Sequence, residues 1–195
     1  MTIPPTRIPR EPARLRVEAV TAATWRDMEA LFEGRGGPHY CWCMVWRKMP
    51  SKDRRDKKRK KAALKQCVED GTPVGLLGYL DERPVAWCSV GPRPSYRRLA
   101  DTEPGQVQKT PESVWSIVCF YVQRAYRGQG LSAQLIEHAV AYAQAQGAEM
   151  VEAYPVEPEA PSYRFMGFVP QFTRAGFIMA GKAGSHRHVM QLRLP

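Results

Sequence analysis

The sequence predicts a single α/β domain, of the α+β type, built on a mixed β-sheet. Its 195 residues suffice for one domain with a substantial core and are short for two. The predicted elements follow the order β-α-α-β-β-β-α-β-α-β-β, with no internal repeat. Residues 114–122 form an uncharged, largely apolar run, which is typical of a strand buried on both faces.

The first half of the chain alternates strands and helices. Alternating apolar residues predict a strand over 15–20, and Thr24 is the expected N-cap of a helix that reaches about Phe32. A second, basic helix is predicted from about 52 to 69, where Gly71 follows it. Residues 74–80 and 84–90 flank a short polar turn and predict a β-hairpin.

The second half begins with a loop rich in proline and glycine, residues 91–111. The elements expected after it are a strand over 114–122, an amphipathic helix over 131–146, a strand over 150–154, a short helix over 161–166, and strands over 168–172 and 188–194. The last two strands are joined by a glycine-rich connection.

Composition favours a globular protein of the cytoplasm. Apolar residues make up 44% and charged residues 25% of the chain, and no stretch approaches the roughly 18 apolar residues of a membrane span. Residues 1–13 have no apolar core typical of a secretory signal, so we expect a flexible lead-in there and one domain over 14–195. The five cysteines are odd in number and are expected to be reduced thiols.

His39, Cys41 and Cys43 lie close together in the sequence and suggest a metal site. A C-x-C with one nearby histidine lacks the paired ligand spacing of structural zinc sites, so we expect no metal.

The positive charge is concentrated in one segment. Of the formal net charge of +10, residues 52–61 contribute eight basic and two acidic side chains. Such clusters are usually solvated helix faces. They could instead bind nucleic acid through its phosphates, although no aromatic residue alternates with these cations to stack on bases. We therefore keep nucleic-acid binding through 52–61 as an alternative function.

A turn with two glycines follows the apolar strand and leads into a helix. Backbone N–H groups of such a turn and of the first helical residues converge on one place, where the helix dipole favours an anion. The glycines allow a ligand to approach the backbone closely. An isolated GxG would be a basic surface turn, but the flanking strand and helix favour a pyrophosphate site here. Its residues would be Arg127, Gly128, Gln129, Gly130, Leu131 and Ser132.

These residues resemble a family motif: Arg or Gln, two residues, Gly or Ala, one residue, Gly or Ala. Ser132 stands where a small Gly or Ala is usual. A second match is Tyr163, three residues, then Gly167 and Phe168. On both motifs, residues 114–172 resemble the GCN5-related N-acetyltransferase (GNAT) superfamily. One departure is Val156, at a position where many members carry a cofactor-binding Asn.

The resemblance implies a GNAT-like fold with a mixed, mostly antiparallel sheet flanked by helices, and acetyl-CoA as cosubstrate. The pantetheine arm would lie along Phe120, Tyr121 and Val122, where the fourth and fifth strands separate in this family. A backbone N–H near Val122 would stabilise the oxyanion that forms during transfer.

Tyr163 is the candidate general acid, because a phenol is protonated at neutral pH and can donate to a leaving thiolate. A core aromatic side chain closing a short helix is the alternative. Glu152 is the first candidate for the general base, and His39 and Glu112 are lesser candidates. An alternative of at least equal weight is that Glu152 is a solvated or salt-bridged strand residue.

The sequence thus predicts an N-acetyltransferase acting by direct attack of a primary amine in a ternary complex. We expect a small-molecule acceptor, held by Trp42, Trp46, Trp87 and Tyr96, with a protein acceptor as the alternative. A non-catalytic acyl-CoA-binding module is a further alternative. No membrane partner is expected, and the oligomeric state stays open, a homodimer included.

Overall fold

The structure is a computed structural model that describes residues 14–97, 99 and 113–195. The predicted lead-in 1–13, most of the loop 91–111 and the candidate base Glu112 lie outside the described residues.

The described residues form seven strands and four α-helices. In chain order they are β1 (Arg16–Ala19), α1 (Trp25–Glu33), α2 (Lys57–Glu69), β2 (Leu76–Leu80), β3 (Arg83–Pro92), β4 (Val114–Val122), α3 (Leu131–Ala145), β5 (Met150–Ala153), α4 (Val169–Arg174), β6 (Ile178–Ala183) and β7 (Arg187–Arg193).

All seven strands lie in one sheet, in the order β1-β2-β3-β4-β5-β7-β6. Only β4 and β5 are parallel, and every other neighbouring pair is antiparallel. The helix α3 connects the two parallel strands, as a crossover connection must. The predicted mixed, mostly antiparallel sheet is therefore confirmed.

Helices cover both faces of the sheet. On one face, Leu135, Ile136 and Ala139 of α3 pack against β3 and β4 together with Phe172 of α4. The other face carries α1, where Met28, Leu31 and Phe32 follow the helical spacing of a buried stripe and are fully buried. Burying each such side chain contributes roughly 1.5–3 kcal/mol, so these two layers hold β4 in the middle of the molecule.

The two parallel strands pair over a short distance only. Residues 114–117 of β4 pair with 150–153 of β5, and the pairing ends there. The chain after β5 turns away: Val156 bridges Phe168 and Arg187 instead. β4 remains paired with β3 as far as Val122. Residues 118–122 therefore have one sheet edge that β5 does not cover.

Two predicted boundaries in the first half differ from the structure. The helix α2 begins at Lys57 rather than near 52, because the carboxylate of Asp56 accepts from the N–H groups of Lys58 and Arg59 and so starts the helix there. Thr24 does stand before α1, but its hydroxyl accepts from Thr21 N–H and does not cap the helix.

The strand predicted over 168–172 is wrong, because these residues enter the helix α4. The Gln171 side chain accepts from Phe168 N–H at 3.0 Å, and Pro170 fits the first turn of a helix. The predicted connection after it contains strand β6, which the sequence analysis missed. β6 is an edge strand whose Ile178 and Met179 are exposed, so it lacks the alternation of a half-buried strand.

Candidate active site

The glycine turn after β4 has a backbone that requires glycine. Gly128 and Gly130 have φ of +76° and +77°, a region that other L-residues rarely adopt. A Cβ at either position would meet no atom within 4 Å, so open space lies beside the backbone on both glycines. A ligand can therefore approach the main chain at this turn.

The start of α3 supplies hydrogen-bond donors at the same place. Gly130 is its N-cap, and its carbonyl accepts from the N–H groups of Ala133 and Gln134. The N–H groups of Leu131 and Ser132 precede those donors, so they have no acceptor within the helix. The helix has 15 residues, and its dipole adds positive potential at this end.

Arg127 reinforces this potential. Its Nε donates to the Val122 carbonyl at 2.9 Å, which holds the guanidinium between the end of β4 and the turn. The result is a cationic site between the end of β4, the glycine turn and the start of α3. Sites of this kind favour phosphate groups.

A cavity of about 760 Å³ joins this cationic site, called the anion cradle (residues 127–132) below, to the uncovered edge of β4. All the predicted cofactor-binding residues line it except Gln129, whose amide nitrogen instead contacts the Ala125 carbonyl at 3.5 Å. The predicted residues that do line it are Phe120, Tyr121, Val122, Arg127, Gly128, Gly130, Leu131 and Ser132.

The far end of the cavity is formed by the loop after α1, residues 34–47. Its lining is apolar, aromatic and sulfur-bearing, and it faces Cys119 of β4. Arg164, Phe165, Phe168 and Gln171 close another side. The sequence does not single out these four as site residues, because their positions fall in the helix predicted over 161–166 and the strand predicted over 168–172, although the second family motif spans three of them.

Tyr163 lies beside the cavity without being part of its described lining. Its ring is 6.3 Å from that of Trp46 and 6.2 Å from that of Phe165, both of which line the cavity. Its φ is +59°, a strained value for a tyrosine, and 38% of its surface is exposed. A core aromatic would be buried, so this exposure favours the functional interpretation of Tyr163.

Glu152 is in a different environment from the one predicted. It is fully buried in β5, and its carboxylate accepts hydrogen bonds from Arg93, from the Tyr154 hydroxyl at 2.7 Å and from Gln191 at 2.9 Å. It does not belong to the described lining of the cavity. Burial, followed by the charge of Glu152, raises the pKa of Tyr154 well above its usual range. This geometry favours a structural role for Glu152, and its role as a general base stays a prediction.

The aromatic residues expected in the acceptor pocket divide into two groups. Trp46 lines the cavity. Trp42, Trp87 and Tyr96 are buried in the core. The minor candidate His39 is exposed and packs edge-on against Tyr40.

Two negative findings concern the described part of the chain. No group of three His, Cys, Asp or Glu side chains there is arranged to hold a metal ion. No described helix combines the length and apolar character that crossing a bilayer requires.

Comparison with known families identifies the fold. The model of the acetyltransferase (GNAT) family matches residues 25–168. The chain belongs to the GNAT acetyltransferase family. The match spans the cradle, the uncovered edge of β4 and Tyr163, so the family predicted from two short motifs is confirmed. As a GNAT enzyme the protein is an acetyl-CoA-dependent acetyltransferase, with acetyl-CoA as cosubstrate.

Solved GNAT structures share the fold at low sequence identity. An N-acetyltransferase from Staphylococcus aureus Mu50 has a TM-score of 0.56 at 12% identity, covering 93% of this chain and 99% of its own. The PaiA N-acetyltransferase from Thermoplasma acidophilum, in complex with coenzyme A, gives 0.54 at 8% identity, with coverages of 93% and 99%.

A ribosomal-protein-alanine N-acetyltransferase from Brucella melitensis gives a TM-score of 0.55 at 18% identity, covering 92% of this chain and all of its own. No curated protein matches the sequence significantly. At these identities the similarity establishes the fold alone.

Proposed function

We propose that this GNAT protein transfers an acetyl group from acetyl-CoA to a primary amine of a small molecule, by direct attack in a ternary complex. The observation that carries the proposal is one continuous cavity. It connects an anion cradle at the start of α3 with the uncovered edge of β4 and with an aromatic loop.

The residues present fit coenzyme A. The N–H groups of Leu131 and Ser132, with Arg127, would hold the pyrophosphate, and the open space at Gly128 and Gly130 would admit it. The edge of β4 at residues 120–122 would pair with the amides of the pantetheine arm as an added strand does. When bound, acetyl-CoA supplies the acetyl group as a thioester.

Tyr163 is the proposed general acid. Its hydroxyl has no hydrogen-bond partner within the described residues, and it stands on a turn next to cavity-lining Phe165. It would hold a proton at Oη and donate it to the leaving thiolate. The contacts with Trp46 and Arg187 fix its ring.

The lining of the cavity bears on the acceptor. Among the described residues that form it there is no Asp, Glu or His, and its charged members, Arg127 and Arg164, are both cationic. This set disfavours a polycationic acceptor. It offers no protein base for the incoming ammonium, so a water molecule, or an amine that enters neutral, would account for the lost proton.

Two measurements test the proposal. Titration calorimetry should detect coenzyme A binding, and free thiol should be released from acetyl-CoA when the protein meets a panel of small primary amines at several pH values. Binding without release for every amine and for basic peptides would favour the non-catalytic acyl-CoA-binding alternative. Absence of binding would contradict the proposal outright.

The basic segment permits a second candidate, nucleic-acid binding. Several of its cations are engaged within the protein: Arg59 pairs with Asp53, and Lys61 with Glu29 and Glu33. Lys57 and Lys58 are exposed at the start of α2. We expect the double variant K57E/K58E to leave coenzyme A affinity unchanged. We also expect gel-shift binding of the wild type to disappear at physiological salt, and retention there would favour this candidate.

A further inference from the structure

Two cysteines from distant parts of the sequence meet inside the cavity. Cys43 belongs to the loop after α1 and Cys119 to β4, and their Sγ atoms are 3.4 Å apart. Both are free thiols and both line the cavity. The contact is therefore close enough for a disulfide to form after a small movement of the loop.

The surroundings hold the Cys43 sulfur in place. The Trp87 indole N–H donates to Cys43 Sγ at 3.1 Å, and Trp87 is fully buried. The backbone of Cys43 is in the left-handed region, with φ of +49°, a value that persists only where surrounding contacts impose it.

Cys41 is the neighbouring thiol that could compete. Its sulfur contacts the Pro38 carbonyl and accepts from the Cys43 N–H, each at 3.4 Å. The Cys41 thiol also interacts with the Cys43 side chain, but of these two cysteines only Cys43 contacts Cys119 of β4.

We propose that Cys43 and Cys119 form a modification site, at which a peroxide converts the two thiols into an intramolecular disulfide within the cavity. Cys119 is partly exposed and Cys43 is 4% exposed, so Cys119 is the thiol that a peroxide reaches first.

The reaction balances with hydrogen peroxide as the only added reagent. The Cys119 sulfur attacks one peroxide oxygen, the O–O bond breaks, and a sulfenic acid and one water form. The Cys43 sulfur then attacks the sulfenic sulfur, the S–O bond breaks, and a second water leaves. The two thiols lose two electrons and two protons, which the peroxide gains.

The hydrogen bond to Cys119 and burial both raise the pKa of Cys43, so the Cys43 thiol stays protonated at neutral pH. Thiolates are the reactive species, so disulfide formation should accelerate as pH rises. The bond would tie the loop to β4 at the end of the cavity that is lined by Trp46, one of the predicted acceptor-binding residues. If the proposed function holds, on which this expectation rests, the rate of acetyl transfer should fall roughly tenfold when the disulfide forms and return after reduction.

The test is chemical mapping of the full chain. Reduced wild-type protein is treated with hydrogen peroxide, remaining thiols are blocked with N-ethylmaleimide, and peptides are compared with and without dithiothreitol. The expected result is a linked peptide joining Cys43 and Cys119 that disappears on reduction. In C43S, the sulfenic acid on Cys119 should persist and be trapped by dimedone, whereas C67S should give the same linked peptide as the wild type.

Three results would overturn the proposal: five unmodified thiols after treatment, a disulfide that uses Cys41, or Cys119 oxidised beyond the sulfenic acid while Cys43 stays alkylatable. The mapping is read on wild-type protein, so poor folding of a variant cannot obscure it. Coenzyme A binding to the reduced protein is measured separately, so failure of the disulfide and failure of the acetyltransferase proposal are distinguishable.

Discussion

At the scale of single residues, Tyr163 carries the proposed chemistry by being exposed where most aromatic side chains of this protein are buried. Its left-handed backbone places the ring between Trp46 and Phe165. Strain of this kind persists where surrounding contacts impose it, and here the ring contacts of Tyr163 with Trp46 and Phe165 do so.

Replacement of Tyr163 by Phe removes this donor and keeps the ring. We expect turnover to fall roughly 100-fold, which is the lower end of the range for loss of a general acid. Coenzyme A affinity should stay unchanged. Steady-state kinetics and calorimetry measure the two quantities. Y142F is the matched control, since Tyr142 of α3 packs against Trp115 of β4 and lies outside the described cavity lining. Equal turnover in Y163F and wild type would remove Tyr163 from the mechanism.

Variants of Glu152 distinguish a structural role of its carboxylate from a catalytic one. Loss of one partner from a buried, hydrogen-bonded charge pair costs about 3 kcal/mol, so E152A should lower the free energy of unfolding by that amount. Denaturant titration measures it, and E137Q on the exposed face of α3 serves as the control.

The dependence of the E152Q rate on pH tests whether Glu152 is the general base. We expect its rate to rise with pH as the wild-type rate does, because the amine loses its proton without Glu152. A flattened profile in a folded E152Q would restore Glu152 as the base.

At the scale of elements, the turn from β4 into α3 works because two glycines adopt φ values that present the backbone to a ligand. Its matched counterpart is Gly71 after α2, which has φ of +72° and equally open surroundings but lies outside the described cavity lining.

The pair G130A and G71A isolates the effect of ligand approach. Each alanine incurs a similar backbone strain of about 1–2 kcal/mol. Only G130A places a methyl group at the cradle, so we expect its coenzyme A affinity to weaken roughly tenfold while G71A retains wild-type affinity. Calorimetry gives both affinities. Similar losses in both variants would mean that general destabilisation, and not the cradle, explains the effect.

At the scale of the molecule, a sheet that is continuous at one end of β4 and open at the other creates the cavity. Helices pack on both faces of the sheet around β4, while the pairing of β5 with β4 ends at residue 117. The uncovered edge has main-chain groups that a ligand can bind as a strand would.

Hydrogen exchange tests this use of the edge. Saturating coenzyme A should slow amide exchange in residues 118–122 and at the start of α3, because bound amides would be shielded there. Residues of β6, an edge strand separated from β4 by β5 and β7, should exchange as before. Protection confined to other strands would contradict binding along β4.

The sequence predicted those parts of the fold and site whose cause is local. The two glycines at 128 and 130 predict a turn that needs positive φ, and the apolar run predicts the buried strand β4; the structure has both. α4 was mistaken for a strand, since its helix depends on one side-chain cap at Phe168. β6 was missed because an edge strand needs little hydrophobic patterning.

What the sequence determined by itself is the family, the order of most elements and the glycine turn before α3, because each depends on residues close together in the chain. Tertiary structure alone decided that the buried Glu152 accepts hydrogen bonds from Arg93, Tyr154 and Gln191. It also decided that the Cys43 and Cys119 sulfurs are in contact. It also decided that the loop after α1 forms one end of the cavity. These facts arise from pairing and packing between segments far apart in sequence, which no local pattern encodes.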